Sequence, residues 1–293
     1  MAVNNSDRPV VLLHIYRSIG GVLAVIMSLL GCQPARPTPR APLPVVAFCG
    51  INPDDATARL QLDAFVAAGI DAMMGACHRP PADYTLADPG ERYGHPDEYQ
   101  RLIELVQPTG MKVVVFDERI WSDDPGVRAG AYDQWAPLTP WIEAWDMGDE
   151  WGEVDWPLLE HRWQLVLDGV GQLGPPPYTN NLPWMLDAAW ALHPRTLSYD
   201  SYDVPVSLAL AGAWSSVHPN LMCAVNGLVH GTNTTTPATL KATMKAHRAV
   251  GCDSILLFGG TQPIDTPGFE TPSLVNPDGT PTAFVAAVRA GAA

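Results

Sequence analysis

The sequence predicts an α/β protein whose residues 43–293 form a single (β/α)8 (TIM) barrel. Three observations carry that expectation. From residue 43 onward, short β-rich apolar runs alternate with longer segments of helical period. The alternation repeats eight times in about 250 residues, the usual size of such a barrel. Neither an internal repeat nor a change of composition marks a second domain.

The units follow in order. LPVVAFCG (43–50) is a continuous β-rich run, and behind the acids of NPDDA the residues Leu60, Leu62, Phe65, Val66 and Ala68 recur at helical spacing. IDAMMGAC (70–77) is the second strand, followed by a helix over 96–110 that opens at Pro96-Asp97 and closes at Pro108 and Gly110. KVVVFD (112–117) precedes a less regular helical stretch over 125–140, and IEAWDMGDE (142–150) precedes the amphipathic DWPLLEHRWQLVLDGVG. Strand and helix then alternate through 176–181 with LPWMLDAAWAL, 196–203 with VPVSLALAGAW, 220–227 with TPATLKATMKAHRAVG, and 253–260 with PTAFVAAVRAGA. A doubly wound open sheet is the alternative, but acids follow the first strand where a phosphate-binding turn needs glycines and bare amides.

Before the barrel, Arg8 and Arg17 precede the apolar run IGGVLAVIMSLL (19–30), after which the chain turns polar and proline-rich. A run this short fits a signal peptide better than a membrane span. Residues 1–31 are therefore expected to be a signal peptide or, read the other way, an uncleaved anchor, with residues 32–42 as a stiff tether. LLGC resembles a bacterial lipobox, and that resemblance makes Cys32 the lipidated residue and the barrel an exported, membrane-tethered envelope protein. The formal charge is −14, which disfavours nucleic acid and anionic lipid as partners. Cys49, Cys77, Cys223 and Cys252 remain after Cys32. In an oxidising compartment Cys49 with Cys77 and Cys223 with Cys252 would join neighbouring elements; otherwise all four pack as small apolar thiols.

In a (β/α)8 barrel, functional groups gather at the C-terminal ends of the strands. There the sequence offers His78; Asp117, Glu118 and Arg119; Asp149, Glu150 and Trp151; Asn180 and Asn181; Tyr199, Asp200 and Asp203; and Asn226. Amides and carboxylates bond hydroxyls and aromatic faces stack on pyranose rings, so this set suits a carbohydrate. No His-x-His, His-Glu-x-x-His, Cys-x-x-Cys or Gly-x-Ser-x-Gly spacing occurs, and neither a metal nor a cofactor is expected.

WDMGDEW (145–151) and the tail SLVNPDGTPTAFVAAVRA (273–290) resemble segments of the (β/α)8 glycoside hydrolases, at the fourth strand's end and before the last helix. The resemblance implies that Glu150 is the general acid, with Asp149 beside it; from the strand-end set, Asp149, Trp151, Tyr199, Asn226, His78 and Asn180 are the expected sugar contacts. It also carries a departure: retaining enzymes of this kind place a nucleophilic Glu at the end of the seventh strand, where this chain has Asn226. Glycosidic hydrolysis needs two carboxyl groups. Asp200 is the expected base of an inverting pair, with room for a water, and Asp117 is the second choice. Trp145 and Trp151, with Asp149 adjacent, are expected to raise the Glu150 pKa. A hydrolase-like barrel that binds glycan or a protein without cleaving remains the other reading.

Overall fold

The computed structural model describes residues 41–75, 96–149, 151–170, 174–201, 203–218, 220–226, 229–230, 235–260, 269–270, 274–276 and 278–293. The expectations for residues 1–40, for Cys77, for His78 and for Glu150 lie outside these residues.

The expected barrel is there. Eight parallel strands, β1 (Val45–Ala47), β2 (Ala72–Met73), β3 (Lys112–Val115), β4 (Ile142–Asp149), β5 (Pro177–Asn181), β6 (Leu197–Tyr199), β7 (Leu221–Asn226) and β8 (Ser254–Phe258), close in sequence order. Closure comes from β1 pairing β8 in register Val45 to Ile255. A helix follows each strand: α1 (Ala58–Ala68), α2 (Pro96–Val106), α3 (Pro125–Trp135), α4 (Trp156–Val170), α5 (Leu186–Ala191), α6 (Val204–Trp214), α7 (Pro237–Val250) and α8 (Ala283–Ala292).

Alternation along the strands sorts side chains into two shells. Val46, Phe48, Met74, Val114, Ala144, Tyr178, Met222 and Leu256 fill the barrel interior. Their neighbours Val45, Ala47, Val113, Val115, Trp145, Leu197, Tyr199, Cys223 and Ile255 face the helices and form the larger core. Both shells are buried, which explains why the strands read as continuous apolar runs instead of alternating ones.

Local signals end the helices where expected. Gly69, in the left-handed region at φ 77°, stops α1. Asp124 caps α3 by accepting from the Gly126 amide at 2.7 Å, and Asp203 caps α6 through the Val206 amide at 2.9 Å. The helix expected over 125–140 divides: α3 ends at Trp135 and Ala136–Trp141 is a 3-10 turn. Pro137 and Pro140 remove the amides an α-helix would need there. Not anticipated from the sequence is a small antiparallel pair, Val229–His230 with Phe269–Glu270, between the segments that follow β7 and β8.

Cys223 and Cys252 form a disulfide, joining β7 to the residue that leads into β8. Cys49 is also disulfide-bonded, to a partner outside the described residues.

Candidate active site

The interior of β4, β5 and β6 turns polar toward the C-terminal ends of these strands. Asp146 continues the inward phase of Ala144, Asn180 that of Tyr178, and Asp200 that of Ser198. Asp146, Asn180, Ser198 and Asp200 are all buried. Ser198 organises the set: its Oγ lies 3.0 Å from the Tyr178 hydroxyl, 3.0 Å from the Thr179 carbonyl and 3.1 Å from Asn180 Oδ1. One hydroxyl proton is thus shared among three acceptors.

Asp149 joins this group through a change of register. Asp146 pairs with Tyr178 and Asp149 with Asn180, so three steps on β4 match two on β5. The additional residue is a bulge, and Gly148 within it has φ 103°, a conformation that favours glycine. The bulge re-aims Asp149 into the phase of Asn180, whereas plain alternation would have turned it toward the helices. The chain thereby brings three acids near one phenol. Asp146, Asp149 and Asp200 all push the Tyr178 hydroxyl pKa up by their charge, in addition to the larger effect of burial. Asp146 itself is pushed up to about 7 by burial, against a smaller opposing effect of the Gly148 amide it accepts from at 3.0 Å. It is therefore close to half-protonated at neutral pH.

Two expected site residues face the other way. Asp117 is one step out of the inward phase and points into the helical layer, where it accepts from Arg119 Nη2 at 2.8 Å, Arg119 Nε at 3.0 Å and Trp135 Nε1 at 2.7 Å. Its oxygens are spent holding the turn after β3 against α3, so the expectation of a base at this position is corrected. Tyr199 is likewise corrected as a sugar contact: it lies between β6 and α6, fully buried, and its hydroxyl donates to the Ser207 carbonyl at 2.7 Å. Trp145 follows the same phase and packs edge-on against Trp135 at 6.0 Å. It belongs to the helical layer and is not a wall of the interior.

Trp151 is half-buried just past β4, where its Nε1 donates to the Met147 carbonyl at 3.0 Å and its ring covers the bulge at Gly148. Asn180, expected as a sugar contact, reaches the interior. Asn226 ends β7. The residue that sequence reasoning missed is Asp146. Attention to strand ends passed over it, although it is the single charge inside the run AWDMG and shares the phase of Ala144.

No family model and no curated protein matches this chain. Among solved structures it is similar to a Thermobacillus composti xylanase of glycoside hydrolase family 10, at TM-score 0.54 and 10% identity, covering 85% of this chain and 96% of that one. It is similar to xylanase A of P. fluorescens subsp. cellulosa, solved with xylopentaose, at TM-score 0.52, 13% identity and coverage of 85% and 96%. A Bacteroidetes-affiliated family 5 cellulase gives TM-score 0.51 at 10% identity, over 85% of this chain and 90% of that one. At such identities the likeness is one of fold: this chain has the closed eight-stranded parallel barrel that these xylanases and other glycoside hydrolases share.

Proposed function

We propose that the chain is a glycoside hydrolase acting on a polysaccharide, with Glu150 as general acid and Asp200 as general base of an inverting mechanism. The observation that carries this is the convergence of Asp200, Asp149 and Asn180 on the interior at the C-terminal ends of β4, β5 and β6, the end at which barrel enzymes hold their reacting groups. In an inverting enzyme the base activates a water on the face of the ring opposite the leaving group, while the acid protonates the glycosidic oxygen. Asp200 is buried at this mouth and anchored by its own amide, which donates to the Asn181 carbonyl at 2.8 Å. Asp149 is a second candidate acid, because the bulge aims it inward.

The test is a polysaccharide panel that includes xylan and cellulose, digested by the purified full-length chain and followed by reducing ends. Glu150→Gln and Asp200→Asn should each lose activity while the fold is retained. If Asp149→Asn is inactive and Glu150→Gln is not, the acid is Asp149. The second reading, a glycan-binding barrel without catalysis, is favoured by Asn226 at the end of β7, and it requires retention of a polysaccharide that is never cleaved.

We further propose that the barrel works outside the cytoplasm, tethered through lipidated Cys32. The Cys223–Cys252 bridge supports this reading, because disulfides persist mainly in oxidising compartments.

A further inference from the structure

Beside the mouth lies a cleft of about 330 Å³, between the 3-10 turn Glu118–Trp121 that follows β3 and helix α4, with Val127 of α3 on its side. Its charges are unequal in their availability. Arg119 is committed to Asp117 at 2.8 Å, and the His161 ring, whatever its charge, is hydrogen-bonded through Nε2 to Asp123 at 2.6 Å. Arg162 is different: its guanidinium carbon sits 5.9 Å from the Trp121 ring centre and 5.7 Å from that of Trp151. Among the described residues no carboxylate lies within ion-pair distance of it. Two indoles thus hold a cation in place without neutralising it, and a guanidinium held in this way is pre-organised to donate two parallel hydrogen bonds to a planar anion. Glu118 lines the same cleft, exposed and unbonded among the described residues, and is available to accept from hydroxyl groups. Leu158 and Val127 supply apolar wall.

We propose that this cleft binds a carboxylated sugar, a hexuronate, with its carboxylate on Arg162 and a ring hydroxyl on Glu118. The pairing follows from the chemistry. A neutral hexose leaves Arg162 unanswered, a bare inorganic anion leaves Glu118 opposed by like charge, and a uronate satisfies both. Because Trp151 comes two residues after the end of β4 and its ring also lies against Arg162, the cleft adjoins the mouth, where an acidic residue or branch of a longer glycan would occupy it. The proposal does not depend on which carboxylate is the general acid.

Calorimetric titration of the full-length chain with sodium glucuronate tests it, with glucose and sodium sulfate as the comparison ligands. Glucuronate should bind, with glucose and sulfate at least about tenfold weaker. Arg162→Gln should weaken glucuronate about tenfold or more and Glu118→Ala several-fold, with unchanged far-ultraviolet circular dichroism, whereas Glu150→Gln should bind as the parent does. Equal binding of glucose, equal binding of sulfate, no glucuronate binding, or an Arg162→Gln variant that is folded and binds normally would each overturn it. Loss of hydrolysis in Glu150→Gln with glucuronate binding intact separates this site from the catalytic reading.

Discussion

Asp146 shows what burial does to a single side chain. Its folded pKa of about 7 lies above the ordinary 3.8, so the native state holds a proton that the unfolded chain releases. Stability therefore falls as pH rises from about 4 to about 7, by at most about 1.4 kcal/mol per pH unit, and levels off above that window. Asp146→Asn should flatten this slope, as measured by urea unfolding at pH 5 and pH 8. An unchanged slope would show that Asp146 is not the group responsible. At the neighbouring positions the expectation concerns rate: Glu150→Gln should reduce hydrolysis by about 10²–10⁴, the usual contribution of a positioned general acid. Retention of full rate removes Glu150 from the mechanism. Both acids were visible in one octapeptide, AWDMGDEW, yet only the bulge at Gly148 tells Asp149 from its neighbours. A run with a single glycine does not reveal whether that residue bends the strand or merely occupies it.

Elements are tied together by contacts that strand and helix periodicity cannot foretell. Tyr199 of β6 donates to the Ser207 carbonyl of α6, and Ser207 Oγ lies 2.7 Å from His247 Nε2 of α7. Nδ1 of the same ring is 2.9 Å from the Thr243 carbonyl, which places the imidazole proton on Nδ1 and makes Nε2 the acceptor. Burial lowers the His247 pKa from 6.5. This histidine therefore stabilises the fold fully above 6.5, and that contribution is lost as pH falls below it. Ser207→Ala leaves Nε2 buried without its donor and should cost about 1–3 kcal/mol, read as a lowered urea midpoint at pH 8. A midpoint within error of the parent would mean that the bond is energetically silent. The Cys223–Cys252 bridge closes a loop with a sequence separation of 29. Its removal by the double alanine variant should cost about 3–4 kcal/mol on loop-closure entropy, seen as a drop in Tm relative to the oxidised parent.

At the scale of the molecule, the proposed work outside the cytoplasm predicts where the chain is found. If Cys32 is lipidated in a bacterial host, the chain should sediment with membranes and Cys32→Ala should release it to the soluble fraction. Release without any change on substitution argues against the tether. The barrel itself was legible because strands buried on both faces leave apolar runs such as VVA, VVV and SILLF, and several helices between them begin or end on a cap that can be read locally, such as Asp124, Asp203 and Gly69. Alternation then sorted the strand-end residues correctly only where the phase was continuous. From the residue list alone Asp117, Tyr199 and Trp145 stood as close to the chemistry as Asp200. The structure turns the first three into the helical layer and the last into the interior. By itself the sequence determined the architecture, its strand order and the kind of groups gathered at the mouth, since these depend on hydrophobic period and chain length. Which of those groups face one another was decided only in three dimensions, because a one-residue change of register at Gly148 exchanges the interior for the helical layer.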